Sequence, residues 1–162
     1  MRIRKMKEDE IKETLTIEQK ELYPELTSEQ MRSWVEGKGP FAPQCFVAEK
    51  DSTIVGFIVL SPYEVRNKEV LLEISTIAVR SENQRQGIGK NLIEASLSEV
   101  KNLWSKEGFR VVGLLVETGE DEEEAIAFYE KILPSFQKRI FREIWEDEKG
   151  IVFYLASFIL KT

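Results

Sequence analysis

The chain has 162 residues, 42% hydrophobic and 32% charged, a balance that supports one folded domain with a sizeable core rather than disorder. It contains no histidine, which excludes Ser-His-Asp and Cys-His catalysis and histidine-ligated metals, and leaves proton transfer to Glu, Asp, Tyr, Lys, the lone Cys45 or water. The formal net charge of −6 argues against a nucleic-acid partner, whose phosphates call for a basic stripe.

The N-terminal "MRIRKMKEDEIKE" is too charged to hold the apolar core of a signal peptide. No apolar run approaches the ~20 residues of a membrane span, so a cytoplasmic location with no membrane partner is expected. Residues 2–6 read as a short strand, and residues 8–22 and 27–36 as helices, the second opened by the capping-type string "TSEQ". "FAPQ" ends that pattern. "CFVAEK" and "TIVGFIVL" follow as strands joined by a tight Asp51-Ser52 turn, and "VRNKE" turns the chain into "VLLEISTIAV". Cys45 reads as a small core residue, and being alone it excludes a disulfide framework or a cysteine metal cluster. Over 88–105, Leu92, Ile93, Leu97, Val100, Leu103 and Trp104 recur at spacings of three and four, the stripe of an amphipathic helix. "RVVGLLVE" is another strand, "GEDEEEAIAFYEKI" a helix, and "KRIFREIW" with "IVFYLASFIL" a hairpin around "EDEKG". The order β-α-α-β-β-β-α-β-α-β-β predicts a single α/β (α+β) domain over 1–162, with a mixed, mainly antiparallel sheet flanked by helices.

The stretch "RSENQRQGIGKN", 80–91, joins strand to helix and places Gly87 and Gly89 in the helix's first turn. A glycine inside a helix costs roughly 0.8–1 kcal/mol relative to alanine, so the pair needs a reason. Such a turn presents free backbone N–H groups at the positive end of the helix dipole, and a missing side chain lets a phosphate approach. Arg85 and Lys90 add charge, and the pattern reads as an anion site suited to a pyrophosphate. It is not a Walker loop, because Gln84 and Asn91 stand where glycine and Ser/Thr are needed, and the third glycine of a dinucleotide fingerprint is missing. A glycine-bearing turn without a ligand is the plain alternative.

The string Gln84-x-x-Gly87-x-Gly89, directly after a hydrophobic strand ending Ala78-Val79, resembles the phosphate turn of the GNAT superfamily of acetyl-CoA-dependent N-acetyltransferases. "EEEAIAFYEKILPSF" resembles that family's later helix through Ala125, Phe128, Tyr129, Glu130 and Lys131. The resemblance covers roughly 70–133 most specifically. It implies that Gln84, Arg85, Gln86, Gly87, Ile88, Gly89 and Lys90 hold the pyrophosphate of acetyl-CoA, that the backbone of Ile77, Ala78 and Val79 pairs with the pantetheine arm, and that Phe128 lies against the co-substrate. No metal is implied. Tyr129 inherits the role of the acid that protonates the departing thiolate; its other reading is an ordinary core aromatic. Two departures stand out: no asparagine precedes the helix, and "LPSF" replaces the usual Gly-Phe after it.

Transfer to an amine needs a base, because an alkylammonium has a pKa near 10.4. Glu73 interrupts an apolar strand, and alternation places it on one face with Ser75, Ile77 and Val79. Partial burial would raise its pKa and improve it as a base, and some members of the superfamily use a glutamate at this place. A salt bridge to Arg66 or Arg110 is the alternative, and Glu117 is the reserve base. The implied reaction is direct acetyl transfer in a ternary complex to a protein amino terminus, a lysine or a small-molecule amine. The acceptor region would be "ELYPELTSEQMRSWVEGKGPFAP", with Tyr23, Trp34 and Phe41. A homodimer is left open. The competing function keeps the fold as a non-catalytic acyl-CoA-binding sensor or interaction module.

Overall fold

The computed structural model describes residues 1–21, 27–133, 136–141 and 151–157. Among these residues seven strands form one sheet in the order β1-β2-β3-β4-β5-β7-β6. They are β1 (Arg2–Lys5), β2 (Gln44–Lys50), β3 (Thr53–Arg66), β4 (Glu69–Val79), β5 (Arg110–Gly119), β6 (Phe136–Phe141) and β7 (Ile151–Ser157). Only β4 and β5 run parallel; every other neighbouring pair is antiparallel. The expected mixed, mainly antiparallel sheet is thus what forms. Tyr23 and the "EDEKG" turn of the last hairpin lie outside the described residues.

Helices α1 (Ile11–Glu21) and α2 (Ser28–Glu36) cover one face, and α3 (Ile88–Lys106) and α4 (Glu123–Ile132) the other. The α1–α2 layer buries Ile11, Leu15, Ile17 and Met31 against Cys45, Val47, Phe57 and Val59. The α3–α4 layer buries Leu92, Ile93, Val100, Trp104 and Tyr129 against Ile58, Leu60, Leu72, Leu114 and Val116. Cys45 is core, as expected, and burial pushes its thiol up to about 12, where it is inert.

Local chemistry explains most of the boundaries. Asp51 and Ser52 (φ 51° and 61°) and Asn67 and Lys68 (φ 51° and 65°) form two-residue hairpin loops with both residues left-handed, matching the twist of the strands they join. Thr27 caps α2 reciprocally with Gln30. The helix expected over 8–22 begins instead as a 3-10 turn, Glu8–Glu10. There the Glu10 carboxylate accepts the Lys7 N–H at 2.8 Å and bonds of 2.6 and 2.9 Å from Arg4, which tightens the entry. The strand expected to stop at Leu60 runs on to Arg66, with Tyr63 as an extra residue opposite β4.

A second bulge positions the site. Val59 pairs with Thr76 and Leu60 with Ile74, so Ser75 is an extra residue in β4. Before it, Val70, Leu72 and Ile74 face α3; after it, Ile77 and Val79 pack on that same cluster, while Ala78 joins the α1–α2 cluster. The alternation expected for Glu73, Ser75, Ile77 and Val79 is therefore broken. Glu73 lies on the α1–α2 side of the sheet, and Ile77 and Val79 lie on the α3–α4 side.

Candidate active site

The parallel ladder between β4 and β5 ends at the pair Glu73↔Leu115. Both strands continue, β4 to Val79 along β3 and β5 to Gly119 along β7. Among the described residues, the edge of β4 that faces β5 has no strand partner from Ile74 to Val79, a gap of about 20 Å at roughly 3.3 Å per residue. Its backbone N–H and C=O groups are available to an extended ligand, in the manner of an added strand.

At the open end of this gap the chain turns into α3. Arg85 and Gly87 both have positive φ, 61° and 80°. The side chains of the turn reach backwards. Gln84 Nε2 donates to the Val79 carbonyl at 2.9 Å, Gln86 Nε2 to the Glu82 carbonyl at 3.3 Å, and Lys50 Nζ to Gln86 Oε1 at 3.2 Å. The first helical bond is Asn91 N–H to the Gly87 carbonyl at 3.0 Å, so the amides of Ile88, Gly89 and Lys90 precede it. No side chain caps them and no acidic residue occupies the first turn, in contrast to the capping box of α2. Arg85 and Lys90 stand exposed around these amides, paired to Glu124 at 3.3 Å and Glu94 at 3.7 Å. The arrangement fits a pyrophosphate group: uncapped backbone donors, the helix dipole and exposed cations.

The two glycines serve different ends. A Cβ on Gly87 would meet nothing within 4 Å, but its φ of 80° disfavours other residues. A Cβ on Gly89 would come within 2.9 Å of Cζ of Phe128. A side chain at Gly89 would have to push that ring aside, a contact between α3 and α4 that the sequence alone did not reveal.

Tyr129 follows Phe128, their ring centroids 5.2 Å apart, and is 6% exposed within the α3–α4 cluster. Burial pushes the phenol pKa well above its ordinary value, so the hydroxyl is protonated at neutral pH. The acidic residues Glu123 and Glu124 open α4, where the dipole favours them.

Glu73 forms no ion pair among the described residues. Arg110, one of its suggested partners, pairs with Glu69 instead. Ser61, opposite Glu73 on β3, lies 2.6 Å from the Ser75 hydroxyl, which donates to Glu73 Oε1 at 3.5 Å. Burial, first, and the nearby Glu117 carboxylate raise the pKa of Glu73, while the Ser75 bond opposes them. Glu117 is exposed on β5, two residues past Leu115. The Thr76 hydroxyl, beside the bulge, is buried with no hydrogen-bond partner among the described residues.

Of the aromatic residues assigned to the acceptor region, Trp34 packs against the α1–α2 cluster. Phe41 stands edge-on to Trp104 at 4.8 Å and Phe109 at 5.8 Å. Trp104 is 17 residues beyond Gly87, about 26 Å along α3 at 1.5 Å per residue, so Phe41, itself exposed, lies at the far end of α3 from the Gly87 turn.

The profile of the acetyltransferase (GNAT) family matches residues 6–133, and the chain belongs to that family. The N-alpha-acetyltransferase 30 of Schizosaccharomyces pombe is 30% identical over 97 residues, 60% of this chain and 61% of the relative, so the match spans about three fifths of that protein. The fold is shared with the ribosomal-protein-S18-alanine N-acetyltransferase from Escherichia coli (TM-score 0.74, 21% identity, 99% of this chain and 96% of that one). It is shared also with Ard1 from Thermoplasma volcanium (TM-score 0.72, 23% identity, 98% and 97%). Members of the GNAT family take acetyl-CoA as co-substrate. Among the described residues no helix is long and apolar enough to cross a membrane, and no cluster of metal-ligating side chains occurs.

Proposed function

We propose that the chain is one catalytic domain that transfers the acetyl group of acetyl-CoA directly to a primary amine, without an acetyl-enzyme intermediate. The observation that carries this reading is the end of the β4–β5 ladder at Glu73↔Leu115 while both strands run on. Pantetheine pairs with the freed edge of Ile77, Ala78 and Val79. The diphosphate lies on the amides of Ile88, Gly89 and Lys90, flanked by Gln84, Arg85, Gln86 and Gly87, and Phe128 lines the arm's path.

Glu73 takes the proton from the acceptor ammonium, and a backbone N–H of the β4 edge stabilises the charge that develops on the thioester oxygen. Tyr129 donates a proton to the departing thiolate. Glu117, across the gap, adds negative charge that favours a cationic acceptor. The likeness to N-alpha-acetyltransferase 30 supports a polypeptide amino terminus as the first acceptor to try.

The test is thermal unfolding with acetyl-CoA, followed by thiol release with a panel of N-terminal peptides and small amines. Ligand at one hundred times Kd adds about 2.7 kcal/mol, a Tm rise of roughly 5–10 °C for a domain of this size. No shift at millimolar acetyl-CoA removes the co-substrate reading. A shift without turnover on any amine favours a sensor over an enzyme.

A further inference from the structure

Beside Glu73 stands a pair of hydroxyls, Ser61 and Ser75, that the proposed reaction leaves without a part. Register places Ser61 directly across from Glu73 on β3, and Ser75 follows Glu73 by two residues on β4. Because Ser75 is the bulged residue, no β3 side chain stands opposite it, and its hydroxyl leans to Ser61 at 2.6 Å, where Ser61 is the donor whenever Ser75 gives its own proton to Glu73. The same hydroxyl reaches Glu73 Oε1 at 3.5 Å. We propose that Ser75, backed by Ser61, is a positioning residue that anchors Oε1 of Glu73 and leaves the other carboxylate oxygen for the amine. This rests on the reading of Glu73 as the base.

The other groups around Glu73 do not supply that anchor. On β5 the facing residue is Leu115, and Glu117 beyond it repels the carboxylate. On β4 itself Glu69 is held by Arg110. Glu64 and Arg66 of β3 are exposed further along the hairpin, and Glu13 of α1 is turned to Arg80. A 3.5 Å bond is long, as catalytic hydrogen bonds often are before substrate binds, and an arriving ammonium would draw the carboxylate into one orientation that Ser75 then fixes. Donation by Ser75 favours the charged form of Glu73 against its burial and against Glu117.

The experiment is a carboxyl-carbon NMR titration of Glu73 in the full chain, run beside the pH profile of kcat/KM, for wild type, Ser75→Ala, Ser61→Ala and Ser75→Thr. Ser75→Ala should move the titration upward, Ser61→Ala should move it less in the same direction, and Ser75→Thr should restore it. In Ser75→Ala, kcat should fall several-fold with KM for acetyl-CoA unchanged, and the acid limb should follow the titration. Ser61→Ala leaves β4 intact and carries the test if Ser75→Ala does not fold. A Glu73 titration unmoved by the alanine variants overturns the proposal. A titration that moves while the acid limb stays overturns the assignment of Glu73 as base, and with it the part of Ser75 in the reaction.

Discussion

Gly89 lies beneath the ring of Phe128, so closely that a single methyl group on Gly89 would stand 2.9 Å from Cζ. One contact thereby ties the glycine-bearing first turn of α3 to the helix that carries Tyr129. Gly89→Ala gains up to about 1 kcal/mol of helix propensity but must displace the ring, so its melting temperature should change little. Its Kd for acetyl-CoA, measured calorimetrically, should rise by roughly tenfold, about 1.4 kcal/mol, as ring and turn shift together.

Gly87 behaves differently. Alanine meets no neighbour there but must take φ 80°, at a cost of about 1–2 kcal/mol. Gly87→Ala should therefore unfold at lower temperature than Gly87→Asn, because asparagine tolerates the left-handed region better. Equal melting temperatures would mean that the turn relaxes.

For Glu73→Gln, activity and stability should move apart. Burial raises the pKa of Glu73, so the folded state holds the proton more readily than the unfolded one. The charge then costs stability, and that cost grows as pH rises from the ordinary carboxylate range through the raised value. The glutamine variant should be at least as stable as wild type at pH 7 while turnover falls by about 10²–10⁴. Wild-type kcat/KM should decline as pH drops through the raised pKa, and the variant should lose this limb; if the limb persists, Glu117→Gln is the next variant to measure.

Tyr129→Phe should keep acetyl-CoA binding within about twofold and lower kcat where chemistry limits, by roughly 10²-fold or more for a lost general acid. An unchanged kcat in single-turnover measurements would leave Tyr129 as the core residue that its 6% exposure also describes.

Arg4 clasps both Glu10 and Glu49, at 2.6 and 2.7 Å, with side chains only 14–30% exposed. Arg4 is the main cause holding the Glu10 carboxyl below its ordinary pKa. A lowered carboxylate contributes stability that is present above the unfolded pKa, about 4.3, and is lost as pH falls through the folded value. Glu10→Gln should cost about 1–2 kcal/mol at pH 7, and urea unfolding at successively lower pH should show the two proteins converging.

The sequence by itself determined what neighbouring residues decide. The turns at Asp51-Ser52 and Asn67-Lys68, the Thr27 cap, the stripe of α3 and the uncapped, glycine-bearing start of that helix all follow from side chains a few positions apart. So does the exclusion of histidine chemistry. The tertiary structure alone decided the rest, because bulges and partners are set by strands distant in sequence. No local pattern around Ser75 announces an extra residue, since the mismatch exists only against Val59 and Leu60 of β3. That mismatch turns Glu73 to one side of the sheet and Ile77 and Val79 to the other. The pairing of Arg110 with Glu69, the edge-on contact of the exposed Phe41 with Trp104, and the ring of Phe128 over Gly89 arise in the same way. Each joins residues that meet only once the sheet has chosen its register.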